Sequence, residues 1–172
     1  DSPVQSVQDL KGKKVAFGDI GSTSAHLGPM QLMADFGVDP MKDVEPLHVS
    51  RNVAVESLIK GDIAAIGMNA THLVGVREKF PDTAFKVIAR GRDLPNDPLL
   101  AGAHVDPAVV DKMRTAFVDN SPALIDALLK GEDTQKYQGM HFLAKIEDKD
   151  YDYVRSMYAT IGHPQYAEFV GQ

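Results

Sequence analysis

The chain has 172 residues, 44% of them hydrophobic and 24% charged, a formal net charge of −6 at pH 7, and no cysteine. That length supports one domain with a real core, and a negative balance without a Lys/Arg-rich face argues against a nucleic-acid partner. The lack of cysteine excludes disulfides, thiolate metal sites and cysteine nucleophiles, and no apolar run approaches a membrane span.

Ser2 to Asp9 reads as a lead-in segment, with Val7-Gln8-Asp9-Leu10 closed by the Lys11-Gly12 turn. Lys14 to Gly18 reads as a buried parallel strand. Ser22-Thr23-Ser24 follows, just ahead of a helical stretch from Ala25 to Phe36 in which Leu27, Met30, Ala34 and Gly37 fall near a 3.6-residue repeat. Pro29 is awkward inside that helix and implies a kink or a start no earlier than Ser24. Gly37 suits the left-handed position that ends a helix, and Pro40 prevents continuation. Glu45 to Val49 is a second strand. Ser50 then caps a second helix, with Val53, Leu58 and Ile59 pointing inward and Gly61 ending the run. Ile63 to Gly67 is a third strand, Asn69 to Phe80 a third helix and Ala84 to Ala89 a further strand.

Strand and helix alternate strictly over this stretch, which predicts a three-layer α/β domain with a mainly parallel sheet. From Arg90 to Pro98 the pattern breaks as a hinge would. Beyond Pro107 the chain reads as helical: Val109 to Val118, then Ala123 to Lys130 opened by Ser121-Pro122 and stopped by Gly131, then Tyr151 to Ile161 started by Asp148 or Asp150. The expected division is therefore 1–95 as an α/β ligand-binding lobe and 96–172 as a hinge-return segment with C-terminal helices.

In open parallel sheets, ligands sit beyond the carboxyl ends of the strands. Ser22-Thr23-Ser24, Ser50-Arg51-Asn52 and Met68-Asn69-Ala70-Thr71 all follow strands, so they should gather at one edge. Three hydroxyls at a helix start, beside the unpaired N–H groups of its first turn, suit an oxyanion. With no Lys nearby, the anion would be gripped by neutral donors and later released. An ordinary N-cap is the plainer alternative for these residues. Arg51 can hold a second anionic oxygen through its fork of donors, or be a solvated arginine at a helix start. His72 can donate to an anion, or be a surface histidine on a first turn.

The signs of catalysis and metal binding are weak. Asp19 and Asp97 form an acid–base pair only on paper. The serines have no nucleophile-elbow context and no identifiable base, and Gly18-x-x-Gly21 lacks the lysine of a phosphate-binding Walker loop. Asp19 reads instead as a turn former before Gly21. The six histidines show no metal-ligand spacing, so no metal, no other cofactor and no catalytic residue is assigned.

The segment Asp9-Leu10-Lys11-Gly12-Lys13-Lys14-Val15-Ala16-Phe17-Gly18-Asp19, followed by Gly21-Ser22-Thr23-Ser24, resembles the "DLKGKxVAFGDxxSTS" stretch of PhnD-like periplasmic binding proteins. Those are the substrate-binding components of ABC importers of phosphonate, phosphite or phosphate. Gly37-Val38-Asp39-Pro40, Ala54-Val55 to Gly61-Asp62, and Leu94-Pro95-Asn96-Asp97-Pro98 follow in the family's order. Asp150-Tyr151-Asp152-Tyr153-Val154-Arg155 is similar to its late "DYxxVR".

The resemblance implies a type II-like periplasmic binding-protein lobe that binds a small phosphorus oxyanion in a cleft and delivers it to an ABC permease, without catalysis. Ser22, Thr23 and Ser24 would hold the phosphoryl oxygens, Asn69 and Thr71 would complete the shell, and Asp97 would approach from the hinge, with Arg51 and His72 beside them. The implied location is periplasmic, or otherwise extracytoplasmic and membrane-associated. Members are two-lobed and longer than this chain, so the N-terminal third is expected to be missing. The chain would then be a fragment, or a domain that borrows its other lobe or self-associates. In members that take up aminoalkylphosphonates, acidic side chains meet the ligand's ammonium. Those positions fall on Thr71 (His72 if the alignment shifts by one) and on Asp97. Two other readings stay open: the sensory input domain of a membrane-bound signalling protein, and an esterase- or phosphatase-like enzyme.

Overall fold

Val15, Ala16 and Phe17 are all buried, which places their strand at the centre of a sheet covered on both faces. In the computed structural model, which describes residues 2–168, this strand is β1 (Lys14–Phe17). It pairs in parallel with β2 (Glu45–His48) on one side and with β3 (Ala65–Ile66) on the other, giving the order β2-β1-β3. The register sets Phe17 beside His48 and Ala16 beside Ile66. The fold class is therefore α/β with a parallel sheet, as the alternation implied.

The two faces of β1 divide the core. Val15 and Phe17 join Val7, Leu10, Met30, Met33 and Val38 in one apolar cluster. Ala16 joins Ala54 and Ile63 in another, which Leu47, Leu58 and Ile66 extend. The first cluster is roofed by helix α1 (Gly28–Asp35), and the second by helix α2 (Arg51–Lys60). Gly37, at φ 76°, ends α1, and its successor Val38 donates its N–H back to Met33 at 2.9 Å, the left-handed termination expected there.

Two expectations need correcting. Along α2 the buried residues are Ala54 and Val55, whereas Val53 is 50% and Ile59 43% exposed. At about 100° per residue, Ala54, Val55 and Leu58 share one face and Val53 falls on the opposite side; Ser50 precedes the helix without a side-chain cap bond. The segment 84–89 forms no strand: Ile88 and Ala89 pack against the first cluster, but no ladder reaches them. β3 is only two residues long, which leaves little backbone for a further strand to pair with.

Helix α3 (Ala70–Lys79) follows β3. The chain forms two compact units, one running to Leu94 and resuming at Tyr151, the other spanning Pro95–Asp150. The second contains α4 (Pro107–Asp119) and α5 (Ser121–Leu128); there the Phe117 and Phe142 rings meet edge-on, 5.0 Å apart, and the Phe142 N–H donates to Ser121 Oγ at 2.8 Å. In the first unit the returning helix α6 (Asp152–Thr160) seats against α1. Tyr153 donates its hydroxyl to Asp35 at 2.9 Å, Thr160 donates to Gln31 Oε1 at 2.5 Å, and Met157 is fully buried. Among the described residues no helix is long and apolar enough to cross a membrane.

Candidate functional site

Because all three strands run in parallel, their carboxyl ends lie on one edge of the sheet. The loops that leave that edge carry Ser22–Ser24 after β1, Arg51 after β2, and Asn69, Thr71 and His72 after β3. Asp97 belongs to the other compact unit, where its carboxylate accepts the Tyr137 hydroxyl at 3.1 Å.

The loop after β1 is built by a tight turn and an unusual helix start. The Ser22 N–H donates to the Asp19 carbonyl at 3.0 Å, and Gly21 sits at φ 90°, a region that glycine enters without strain. Asp19 is thus the turn former that its position suggested. Helical structure then begins as a single π-turn (Thr23–Leu27) that runs directly into α1. The turn resolves the difficulty of Pro29, which has no N–H to offer the carbonyl of Ala25. That carbonyl accepts instead from the Gly18 N–H at 2.9 Å.

The three hydroxyl residues do different work. Ser22 is the N-cap: its Oγ accepts the Ala25 N–H at 3.3 Å, and its carbonyl receives the N–H groups of both His26 and Leu27. Thr23 and Ser24 are half-buried, and neither their hydroxyls nor their own N–H groups have partners among the described residues. Two backbone donors and two hydroxyls are therefore unused at the positive end of a helical segment, at the carboxyl edge of the central strand. That arrangement can take up an oxyanion without a counter-charge.

The other loops add to the same edge. Asn69 caps α3, with its Oδ1 accepting the His72 N–H at 2.8 Å, so its carbonyl oxygen is committed to structure and its amide NH₂ is the group left to donate. Thr71 is exposed on the first turn of α3, and Arg51 is exposed at the first position of α2. The histidine that follows Thr71 titrates below its ordinary range, chiefly because burial disfavours its charged form and further because Arg51 repels it. The cation after β2 thus acts directly on the residue after β3.

Two residues that sequence reasoning passed over also belong to this edge. His26 is buried in the π-turn, and its Nδ1 accepts the Gly21 N–H at 3.0 Å. His48, the last residue of β2, donates from Nδ1 to the Gly18 carbonyl at 3.0 Å and meets the His26 ring edge-on, with centroids 4.8 Å apart. Burial first, and the neighbouring His48 second, lower the pKa of His26. The signal for the pair was present in the pattern: Leu47 faces the α2 side, so His48 must face the α1 side, next to Phe17. Among the described residues no group of three or more His, Asp or Glu side chains is placed to hold a metal ion.

Over residues 1–151 the chain matches the family model described as "ABC transporter, phosphonate, periplasmic substrate-binding protein". A crystal structure of a binding protein component of an ABC phosphonate transporter from Pseudomonas aeruginosa is similar, with a TM-score of 0.57 at 21% identity, covering 99% of this chain and 58% of that one. The alkanesulfonate-binding protein SsuA from Xanthomonas axonopodis pv. citri, bound to MOPS, gives a TM-score of 0.52 at 15% identity, covering 98% of this chain and 63% of that one. At these identities the likeness is one of fold, and the chain spans less than two thirds of the length of either structure.

Proposed function

We propose that this chain, which belongs to the phosphonate periplasmic substrate-binding proteins of ABC transporters, binds a small phosphorus oxyanion at the carboxyl edge of its sheet and hands it to a membrane permease. The family is one of solute-binding components, not of enzymes, and its members act outside the cytoplasm; a periplasmic location follows for this chain on the same reading. The observation that carries the proposal is the unpartnered set of N–H groups and hydroxyls on Thr23 and Ser24, at the start of the helical segment beyond β1. Ser22 shapes that helix start, the Asn69 amide and the Thr71 hydroxyl face the anion from the β3 side, and Arg51 and His72 supply further donors.

The family match favours a phosphorus oxyanion, and charge bears on how it is held. The chain is net negative and offers neutral donors rather than a cationic cluster, so recognition is local and depends on oriented dipoles. Phosphonate, phosphite and phosphate share the tetrahedral oxyanion this needs. The test is calorimetry and thermal shift with phosphate, phosphite, methylphosphonate and methanesulfonate. A ligand that binds only the folded state raises the melting temperature by mass action, and one of the phosphorus anions is expected to do so more than methanesulfonate. A stronger response to methanesulfonate would move the ligand class to sulfonates, and no response to any of the four would sink the anion site.

A further inference from the structure

We propose that His26 is a positioning residue for the anion site: its Nδ1 holds the Gly21 N–H and so keeps in place the Asp19–Ser22 turn from which Thr23 and Ser24 are presented. This rests on the anion-site reading above. An imidazole nitrogen accepts a hydrogen bond only when it carries no proton, so the 3.0 Å bond from Gly21 requires His26 with its proton on Nε2. His48 is the opposite case. It donates from Nδ1 to the Gly18 carbonyl, and it remains a donor there whether neutral or charged. Of two rings 4.8 Å apart, only His26 loses a bond to the turn when it is protonated.

The surroundings of His26 favour the neutral form. From β1 it meets Phe17, edge-on at 6.3 Å, which carries no charge. From β2 it meets His48, whose protonation repels a second positive charge. Helix α6 also packs against this turn, but there Asp152 pairs with Arg155 at 2.6 Å and Tyr153 donates to Asp35. Burial, the larger cause, and then His48 hold the imidazole neutral to below its ordinary range. The turn is therefore intact at neutral pH. It loses the Gly21 bond as acid protonates His26.

The experiment compares the protein with His26→Asn, which keeps an acceptor near the Nδ1 position without titrating, and with His26→Phe, which has none. Methylphosphonate affinity is measured by calorimetry at about pH 8 and about pH 5, and hydrogen exchange of the Gly21 amide is followed without ligand. The ratio of wild-type to His26→Asn affinity cancels the titration of the probe itself and is expected to fall about tenfold on acidification. His26→Phe should bind weakly at both pH values, while His26→Asn keeps its affinity at the higher one. Gly21 exchange should accelerate in His26→Phe, and in the wild type at low pH beyond the ordinary pH dependence. A constant ratio with methylphosphonate still bound overturns the proposal, as does Gly21 protection that is unchanged in His26→Phe. If His26→Phe does not fold, the His26→Asn ratio decides alone. Absence of methylphosphonate binding at both pH values counts against methylphosphonate as the ligand, and Gly21 exchange then decides alone whether His26 holds the turn.

Discussion

The Gly18 N–H donates to the Ala25 carbonyl at 2.9 Å, and a Cβ added to Gly18 would lie 2.7 Å from the Cβ of Ala25. The end of the central strand and the start of the first helix are thus closed on each other at contact distance. Pro29, four residues on from Ala25, has no N–H to offer that carbonyl.

Gly18→Ala should therefore destabilise the fold by about 1–3 kcal/mol, the usual range for overpacking a close contact. Neither partner in the clash is the far end of a flexible side chain, so the backbone must move. Urea denaturation measures the loss. An unchanged midpoint would mean that the strand end and the π-turn can separate freely.

Ser22 and its two neighbours should separate in their effects. Ser22→Ala removes a cap and should lower stability by about 1 kcal/mol. Thr23→Val and Ser24→Ala remove hydroxyls without a partner among the described residues, so their stabilities should stay within about 0.5 kcal/mol of wild type. Each hydrogen bond to a charged group is worth about 1.5–3 kcal/mol, so these two variants should weaken methylphosphonate binding about tenfold or more. Denaturation and calorimetry on the same three variants check the pattern. Full affinity in Thr23→Val and Ser24→Ala would place the anion elsewhere.

Much of this was legible because it depends on neighbours in sequence. The apolar run at Val15–Phe17, the stops at Gly37 and Gly61, and the hydroxyls ahead of Ala25 each specify local structure. What the sequence concealed depends on partners far along the chain. At the π-turn the Ala25 carbonyl bonds to Gly18 across the loop, and periodicity cannot reveal that. The apolar pattern of 84–89 resembles a strand, but a strand needs a free edge of adequate length, and β3 is too short to offer one. Val53 and Ile59 look apolar enough for the interior, yet Ala54 and Val55 take it, because the helix turns the face of Ala54 onto Ala16 and Ile63. Alternation along β2 gives the face of His48, but its meeting with His26 depends on the parallel register.

Arg51→Ala should raise the pKa of His72 toward its ordinary 6.5 but leave it below, since burial, the larger cause, remains. A histidine with a depressed folded-state pKa contributes stability that is complete above 6.5 and is lost as the pH falls through the folded value. The variant narrows that window. An NMR titration of the His72 ring reads the shift, and no change would show that Arg51 points its charge elsewhere.

Thr71→Glu should bring 2-aminoethylphosphonate closer to methylphosphonate in affinity. An ammonium with no counter-charge loses the interaction that offsets its desolvation, and an acid on the first turn of α3 would supply one. The same position favours a carboxylate by about 0.3–1 kcal/mol through the helix dipole, so the variant should remain folded. Competition calorimetry checks it. A wild-type preference for the aminophosphonate would show that the uncharged Thr71 does not set selectivity.

The seam between α1 and α6 has a consequence for how the protein is made. Gln31 and Asp35 leave the ribosome more than a hundred residues ahead of their partners Thr160 and Tyr153. Translation at roughly 5–20 residues per second leaves that flank of α1 uncovered for on the order of ten seconds. The first unit cannot finish when its own sheet does. It closes only after residues 95–150 have been synthesised and residue 160 has cleared the exit tunnel.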